Sequence, residues 1–196
     1  MKKIALILSL VLMMGCLAAC GGNEPAETTT VPTETTVPTE TTTPSEPVVD
    51  GSEPEFVLTE TEEKLNALYE NVTVELPLMT MPIDLADEFA VATYTGAESA
   101  EGMIEGAFSE SMIGAQAYSI SLVKCESADA AAALAQTMFE KIDTRKWVCV
   151  EATEKQAVVC GDLAFFVMLN PEYGVTCDQI VEAFTAVVGT EVTVIK

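Results

Sequence analysis

The chain has 196 residues and a formal net charge of −22, from 31 acidic and 9 basic side chains. This charge argues against nucleic acid and anionic lipid head groups as ligands, because an acidic surface repels other polyanions. Histidine is absent, which excludes Ser-His-Asp and Cys-His nucleophilic sites and removes the commonest zinc ligand. The acidic groups at 84–88 and 98–105 lack EF-hand spacing, so the sequence predicts no metal site and no cofactor.

The N-terminal segment has the pattern of a secretory signal. Lys2 and Lys3 precede an apolar run over 4–14, which is shorter than the roughly 20 residues needed to span a bilayer. The next residues, Leu17-Ala18-Ala19-Cys20, resemble the bacterial lipobox. This resemblance implies cleavage after Ala19 and a lipid on the sulfur of Cys20. We therefore expect residues 1–19 to be a lipoprotein signal peptide, and the mature chain to be anchored on the extracytoplasmic face of the cell membrane.

Residues 20–55 are low in sequence complexity. The run Val31-Pro32-Thr33-Glu34-Thr35-Thr36 recurs as Val37-Pro38-Thr39-Glu40-Thr41-Thr42. Threonine, proline and glutamate offer almost nothing to bury, so the composition predicts a disordered linker. A threonine-glycosylated stalk is the alternative interpretation. In either case the segment holds the following domain, residues 56–196, away from the bilayer.

Four helices are predicted in that domain from capping residues followed by apolar residues at helical spacing. They run from Thr59 to about Glu70, from Asp84 to Gly96 with Leu85, Phe89 and Ala92 on one face, from Ser127 to about Asp143, and from Thr176 to Gly189. Residues 98–112 are left undecided between a helix and a loop. Met103, Ile104 and Phe108 favour a helix, whereas Gly102 and Gly106 each weaken one by about 1 kcal/mol.

Strands are predicted where apolar residues alternate or form short runs. They lie at 72–75, 118–123, 163–169 and 192–195, with an extended edge segment at 78–81 and a hairpin of 148–153 and 156–160 turning at Glu154-Lys155. The run 163–169 is apolar on both faces and is the predicted central strand. Together these elements predict a single compact α+β domain, with a mainly antiparallel sheet of about four strands and helices packed on one face.

Four cysteines follow Cys20, namely Cys125, Cys149, Cys160 and Cys177. The predicted hairpin places Cys149 opposite Cys160, with Cβ atoms about 4.5–5.5 Å apart, slightly wide for the roughly 3.5–4.5 Å of a disulfide. A Cys149–Cys160 disulfide is therefore one interpretation. Free, buried cysteines that act as small apolar residues are the other, and the wide spacing favours them.

The residues Arg145-Lys146-Trp147 form the main candidate for a binding site. They are the only basic cluster in an acidic domain, and an indole adjoins the two cations. This combination is typical of a site that binds a carboxylate or an anionic glycan. The structural interpretation, which the pattern favours over binding, is that both cations complement the C-terminal end of the preceding helix, while Trp147 packs where the next strand begins.

Three motifs resemble those of a family of small lipoproteins from Gram-positive anaerobes that carries a domain of unknown function. They are Gln116-Ala117-Tyr118-Ser119, Ile142-Asp143-Thr144-Arg145-Lys146-Trp147-Val148-Cys149-Val150 and Gly161-Asp162. The resemblance covers about residues 84–169. It implies a lipoprotein with one compact domain, and it implies no catalytic residues.

Three functional hypotheses follow from the sequence. The first is a non-enzymatic binding or interaction module for an unknown protein, wall polymer or small solute, since the chain has a long linker and lacks the common catalytic motifs. The second is a wall-acting hydrolase, which predicts paired carboxylates about 5–9.5 Å apart in an open cleft. The third is a subunit of a larger envelope assembly, which predicts an exposed apolar patch.

Overall fold

A computed structural model describes residues 57–196. The predicted signal peptide, Cys20 and the linker lie outside the described residues. Within them the elements are α1 (Glu60–Leu68), β1 (Leu78–Pro82), α2 (Glu88–Thr95), β2 (Met103–Ser111), β3 (Tyr118–Cys125), α3 (Ala128–Lys141), β4 (Glu154–Cys160), β5 (Leu163–Leu169), a short 3-10 helix (Pro171–Tyr173), α4 (Cys177–Val188) and β6 (Thr193–Ile195). The predicted α+β class is confirmed. Among the helices of residues 57–196, none has both the length and the apolar character needed to cross a bilayer.

The strands of residues 57–196 form one antiparallel sheet in the order β1-β2-β3-β5-β4-β6. As predicted, β5 is central, and all of its residues are buried. The expected number of about four strands is wrong because the sheet has six. Residues 103–111, whose apolar spacing resembles that of a helix, form β2, and β1 pairs along its outer edge. Residues 72–75 form neither a helix nor a strand.

Close packing explains why β2 contains a glycine, Gly106, in its interior. A Cβ atom at this position would lie 3.1 Å from Cδ1 of Ile83 and 3.3 Å from Cγ2 of Val123. The chain between β1 and α2 therefore approaches β2 closely only because the side chain is missing. Gly106 weakens the prediction of a helix over 98–112. In the structure the same glycine is required by the packing of the strand.

Helices cover both faces of the sheet, so the expectation of helices on one face is wrong. On one face, α1 and α4 pack against Ile120 of β3 and Phe165 of β5. On the other face, α2 and α3 pack against Val123 of β3 and Phe166 of β5. Neighbouring strand residues point to opposite faces, so one strand contributes to both cores. The residues given above for both cores belong to the described part of the chain.

The hairpin of β4 and β5 turns at Gly161-Asp162, so the predicted turn at Glu154-Lys155 is wrong. Gly161 adopts φ +58°, a conformation that favours glycine. Cys160 consequently pairs with Leu163, and Cys149 lies outside both strands on an exposed segment. Cys149 therefore does not lie opposite Cys160, the placement on which the interpretation of a disulfide depends. All four cysteines of the described residues are free thiols, and Cys149 is exposed whereas Cys125, Cys160 and Cys177 are buried.

The predicted helix caps are confirmed at three of the four helices. Thr59 and Thr176 form capping boxes at α1 and α4, and Ser127 caps α3. At α2 the predicted end at Gly96 is confirmed, but the cap is Asp87 rather than Asp84. The last two helices also end within a few residues of the expected positions.

We predict that the β5 core dominates stability. Phe165 is fully buried and stacks on Phe184 of α4 with ring centroids 4.3 Å apart. Phe165→Ala should therefore lower the free energy of unfolding by about 3–5 kcal/mol in urea titrations. Phe89→Ala is the matched control, because Phe89 is 78% exposed and its loss should cost no more than about 0.5 kcal/mol. Equal losses for the two variants would contradict this placement of the core.

Candidate functional site

The connection between α3 and β4 forms a compact loop rather than the predicted strand at 148–153. Its ends meet, because the backbone N–H of Ala152 donates to the carbonyl of Thr144 at 2.9 Å. Its middle is attached to the connection between β2 and β3, because the N–H of Val148 donates to the carbonyl of Gly114 at 3.0 Å. We name residues 144–152 the Trp147 loop. Compact surface loops of this type frequently carry function.

One face of α2 is apolar and yet faces away from the core. Phe89, Ala92 and Thr93 share this face because they are spaced three and four residues apart. The sequence predicts Phe89 and Ala92 on one apolar face with Leu85, whereas the residues that the helix buries are Val91 and Thr95. Both predicted residues are exposed. The fold therefore leaves the apolar stripe of α2 available at the surface.

An open cleft lies between this face of α2 and the Trp147 loop. It has a volume of about 440 Å³, within the roughly 300–1,000 Å³ of small-molecule sites. Its lining combines apolar side chains with acidic and basic groups, namely Phe89, Ala92, Thr93, Glu110, Lys141, Asp143, Lys146 and Trp147.

Lys146 reaches from the Trp147 loop to the sheet. Its ammonium group donates to the carboxylate of Glu110 and, at 3.1 Å, to the hydroxyl of Ser119. Glu110 and Ser119 are directly opposite each other on β2 and β3, so the sheet fixes the spacing of both acceptors. The side chains of Lys146 and Glu110 are only 16% and 18% exposed. A largely buried ion pair therefore joins the loop to the sheet.

Two aromatic rings surround the same ammonium group. The Nζ atom of Lys146 lies 4.7 Å from the ring centroid of Tyr94 and 5.3 Å from that of Trp147. Tyr94 is itself fixed, because its ring stacks on Phe108 of β2 with centroids 3.8 Å apart. Cations within about 6 Å of a ring centroid are attracted by the ring quadrupole. Lys146 thus holds the indole of Trp147 at the wall of the cleft.

Burial changes the acid-base properties of this cluster. It lowers the pKa of the Lys146 ammonium below its usual range, although the neighbouring Glu110 carboxylate acts in the opposite direction. Burial, together with the negative charge of Glu110, raises the pKa of Tyr94 to about 12. The Lys146 charge is therefore poorly solvated, and it depends on Glu110, Ser119 and the two rings for its stabilisation.

The structure separates the three predicted site residues. Lys146 and Trp147 line the cleft, whereas Arg145 lines a neighbouring groove that Trp147 also borders. The Nε atom of Arg145 is 3.9 Å from Asp143 in an exposed pair. The interpretation that both cations complement the end of α3 is wrong for Lys146, which turns to Glu110. No strand begins at Trp147.

Sequence reasoning missed Glu110, Tyr94 and Ser119. The available signal was the alternation of residues 107–111 as a strand, which places Phe108 and Glu110 on the same face. The assignment of these residues to a helix or loop hid that signal. The predicted apolar face of the second helix includes Phe89. In the structure this side chain lines the cleft rather than the core.

The acidic residues of the described region differ in their surroundings. Glu110 and Asp143 both line the cleft, but Glu110 is paired with Lys146. A hydrogen bond from Lys124 lowers the pKa of Glu60 to about 2, and one from Lys196 lowers the pKa of Asp178. Both shifts are opposite to those of a general acid, and both groups lie outside the cleft. Within residues 57–196, no three acidic or cysteine side chains are arranged to hold a metal ion.

Comparisons with known proteins find no matching family model, no similar curated protein and no similar solved structure. The resemblance of residues 84–169 to a lipoprotein family stays a prediction.

We predict that Lys146 and Glu110 stabilise the domain as a coupled pair. Lys146→Met and Glu110→Gln should each lower the free energy of unfolding by about 1–3 kcal/mol, because each leaves a poorly solvated partner behind. The double variant should lose less than the sum of the two, with a coupling energy of about 1 kcal/mol or more in urea titrations.

The matched control for this cycle is the more exposed pair of Lys124 and Glu60. Lys124→Met and Glu60→Gln should be nearly additive, since exposed ion pairs contribute about 0–1 kcal/mol. Additive losses at Lys146 and Glu110 would contradict the described geometry of the site.

Proposed function

We propose that the protein is a lipid-anchored, extracytoplasmic binding module. In this proposal the lipid on Cys20 holds the chain at the membrane, and residues 20–55 act as a spacer. The cleft between α2 and the Trp147 loop binds the ligand. The lipobox-like run at 17–20 and the low-complexity composition of the spacer support the first two parts.

The arrangement of apolar and charged side chains in the cleft supports the binding part of the proposal. Exposed Phe89 and half-buried Trp147 provide apolar surface, and Lys146 with Glu110 provides a fixed donor and a fixed acceptor. Binding sites for small molecules typically combine largely apolar walls with a few precisely placed polar groups. The ion pair and the stacked Tyr94 hold these groups in place before a ligand arrives, which lowers the entropic cost of binding.

The chemistry of the cleft favours a neutral wall glycan. Sugar hydroxyls both donate and accept hydrogen bonds, so they suit a carboxylate beside an ammonium group. The apolar face of a sugar ring suits the indole of Trp147. An anionic polymer is disfavoured by the net charge of −22, and the two cations that line the cleft, Lys141 and Lys146, are equalled in number by two acidic residues, Glu110 and Asp143. The spacer gives the domain reach into the wall.

Lipid anchoring predicts a defined N-terminus. The protein purified from the membranes of its own cells should begin at Cys20, and its mass should include a diacylglycerol on the sulfur of that residue. Cys20→Ser should leave the protein unlipidated, because the acceptor sulfur is lost. Cys16→Ser is the matched control, since Cys16 lies in the predicted signal peptide and its loss should leave lipidation unchanged. A native chain that still begins at Met1 and carries no lipid would contradict anchoring.

Glycan binding predicts a change in the fluorescence of Trp147, the only tryptophan in the chain. Fragment 21–196 should give saturable titrations with N-acetylglucosamine tetramers or with glycan chains released from peptidoglycan. Phe89→Ser should weaken binding about tenfold, a loss of about 1.4 kcal/mol, because it removes one apolar wall. Val57→Ser is the matched control, since Val57 is also 78% exposed and does not line the cleft. Emission that is unchanged by both probes at millimolar concentration would contradict glycan binding.

A further inference from the structure

The outer edge of β1 carries backbone groups that have no hydrogen-bond partner among residues 57–196. In an antiparallel pair, alternate residues direct their N–H and C=O groups toward the neighbouring strand. The N–H of Met112 donates to the carbonyl of Pro77 at 2.8 Å, and the N–H of Ile83 donates to that of Gly106 at 2.7 Å. Residues 77, 79, 81 and 83 therefore face β2. Residues 78, 80 and 82 direct their backbone groups away from the sheet.

The free edge presents two donors and three acceptors. The donors are the N–H groups of Leu78 and Thr80, and the acceptors are the carbonyls of Leu78, Thr80 and Pro82. The described residues form no hydrogen bond with any of these groups. Proline has no N–H, and it occupies a position where that group would point to solvent, as is usual on an edge strand.

Charge is absent from this edge in an otherwise strongly acidic chain. The residues of β1 are Leu78-Met79-Thr80-Met81-Pro82, and the nearest acidic residues in the sequence are Glu75 and Asp84. Exposed edge strands usually carry lysine or another charge that prevents pairing with a second chain. Here Met79 and Met81 are instead 40% and 43% exposed. The strand is a place where two acidic copies can meet without a charged side chain between them.

We propose that β1 pairs with β1 of a second copy, antiparallel and with a two-fold axis at Thr80. In this register each Thr80 N–H donates to the Thr80 carbonyl of the other copy. Each Leu78 N–H donates to the Pro82 carbonyl of the other copy. Every outward donor is satisfied, and the missing proline N–H falls opposite an acceptor, which can still bind water. The pattern is therefore self-complementary, as a two-fold interface requires.

The same register also matches the exposed side chains. Met79 faces Met81 of the second copy at a non-hydrogen-bonded position, where Cβ atoms are about 4.5–5.5 Å apart. Both contacts of this kind lie on the face that carries the cleft, because Met79 is directly opposite Glu110. The second copy thus extends the apolar surface beside each cleft. Burial of these methionines adds hydrophobic stabilisation to the backbone hydrogen bonds.

Amide exchange combined with sedimentation tests this pairing without any substitution. Fragment 21–196, kept reduced because Cys149 is an exposed thiol, should change from monomer to dimer as its concentration rises. At dimer concentrations the amides of Leu78 and Thr80 should exchange at least about tenfold more slowly than in the monomer. The amide of Met79 is the internal control, because it faces β2 and should be protected in both states.

Charge variants test the register. Met79→Lys with Met81→Lys should be monomeric alone, and Met79→Glu with Met81→Glu should also be monomeric, because like charges then face each other. An equimolar mixture should dimerise, since each lysine faces a glutamate. Val194→Lys, on the opposite edge strand β6, is the control and should dimerise as the unsubstituted fragment does.

Four results would overturn the proposal. They are a monomer at every concentration, a dimer in which Leu78 and Thr80 remain unprotected, protection of these amides only when a different protein or peptide is added, and a mixture of the two charge variants that stays monomeric. Circular dichroism of each variant separates a lost interface from a lost fold. None of these outcomes depends on a glycan titration. Sedimentation, amide exchange and the charge variants therefore test the interface independently of the cleft.

Discussion

The strand Leu163–Leu169 is buried along its whole length on both faces, and this constraint determines the architecture around it. An apolar strand of this kind cannot lie at a sheet edge or leave one face in water. It therefore needs β3 and β4 as neighbours and a helical layer on each side. The helices α1 and α4 cover one face, whereas α2 and α3 cover the other. Each layer buries its own half of the alternating side chains of β5.

The candidate site arises where the layer formed by α2 and α3 does not cover the sheet completely. Glu110 and Ser119 lie next to each other on the sheet beneath the cleft between α2 and the Trp147 loop. Without Lys146, these two polar side chains would face the open cleft. Lys146 fills this position from the loop and neutralises Glu110, since a carboxylate without a partner is costly in a poorly solvated place. The loop is thereby attached to the sheet, and Trp147 is placed opposite the apolar face of α2. The edge strand β1 lies directly beside the ion pair of Lys146 and Glu110, because Met79 is opposite Glu110 on the neighbouring strand.

Local signals in the sequence predicted the local parts of the fold. The sequence correctly predicts the capping boxes at Thr59 and Thr176 and the doubly apolar β5, because each depends on residues close together in the chain. The turn at Gly161-Asp162 is hard to distinguish in the sequence, because Glu154-Lys155 also separates two apolar runs. The stripe containing Phe89 was found, but helical periodicity does not distinguish a face that meets the core from one that lines a cleft. The pairing of Lys146 with Glu110 joins residues 36 positions apart, which no spacing rule reveals.

The position of Lys146 beside the rings of Tyr94 and Trp147 fixes the wall of the cleft. Proton NMR of the ε-methylene group of Lys146 tests it most directly. The geometry predicts nuclear Overhauser contacts to both rings and an upfield shift of these protons, because the ammonium lies 4.7 Å and 5.3 Å from the two ring centroids. An ε-methylene signal at the position of a solvent-exposed lysine, without contacts to either ring, would contradict it.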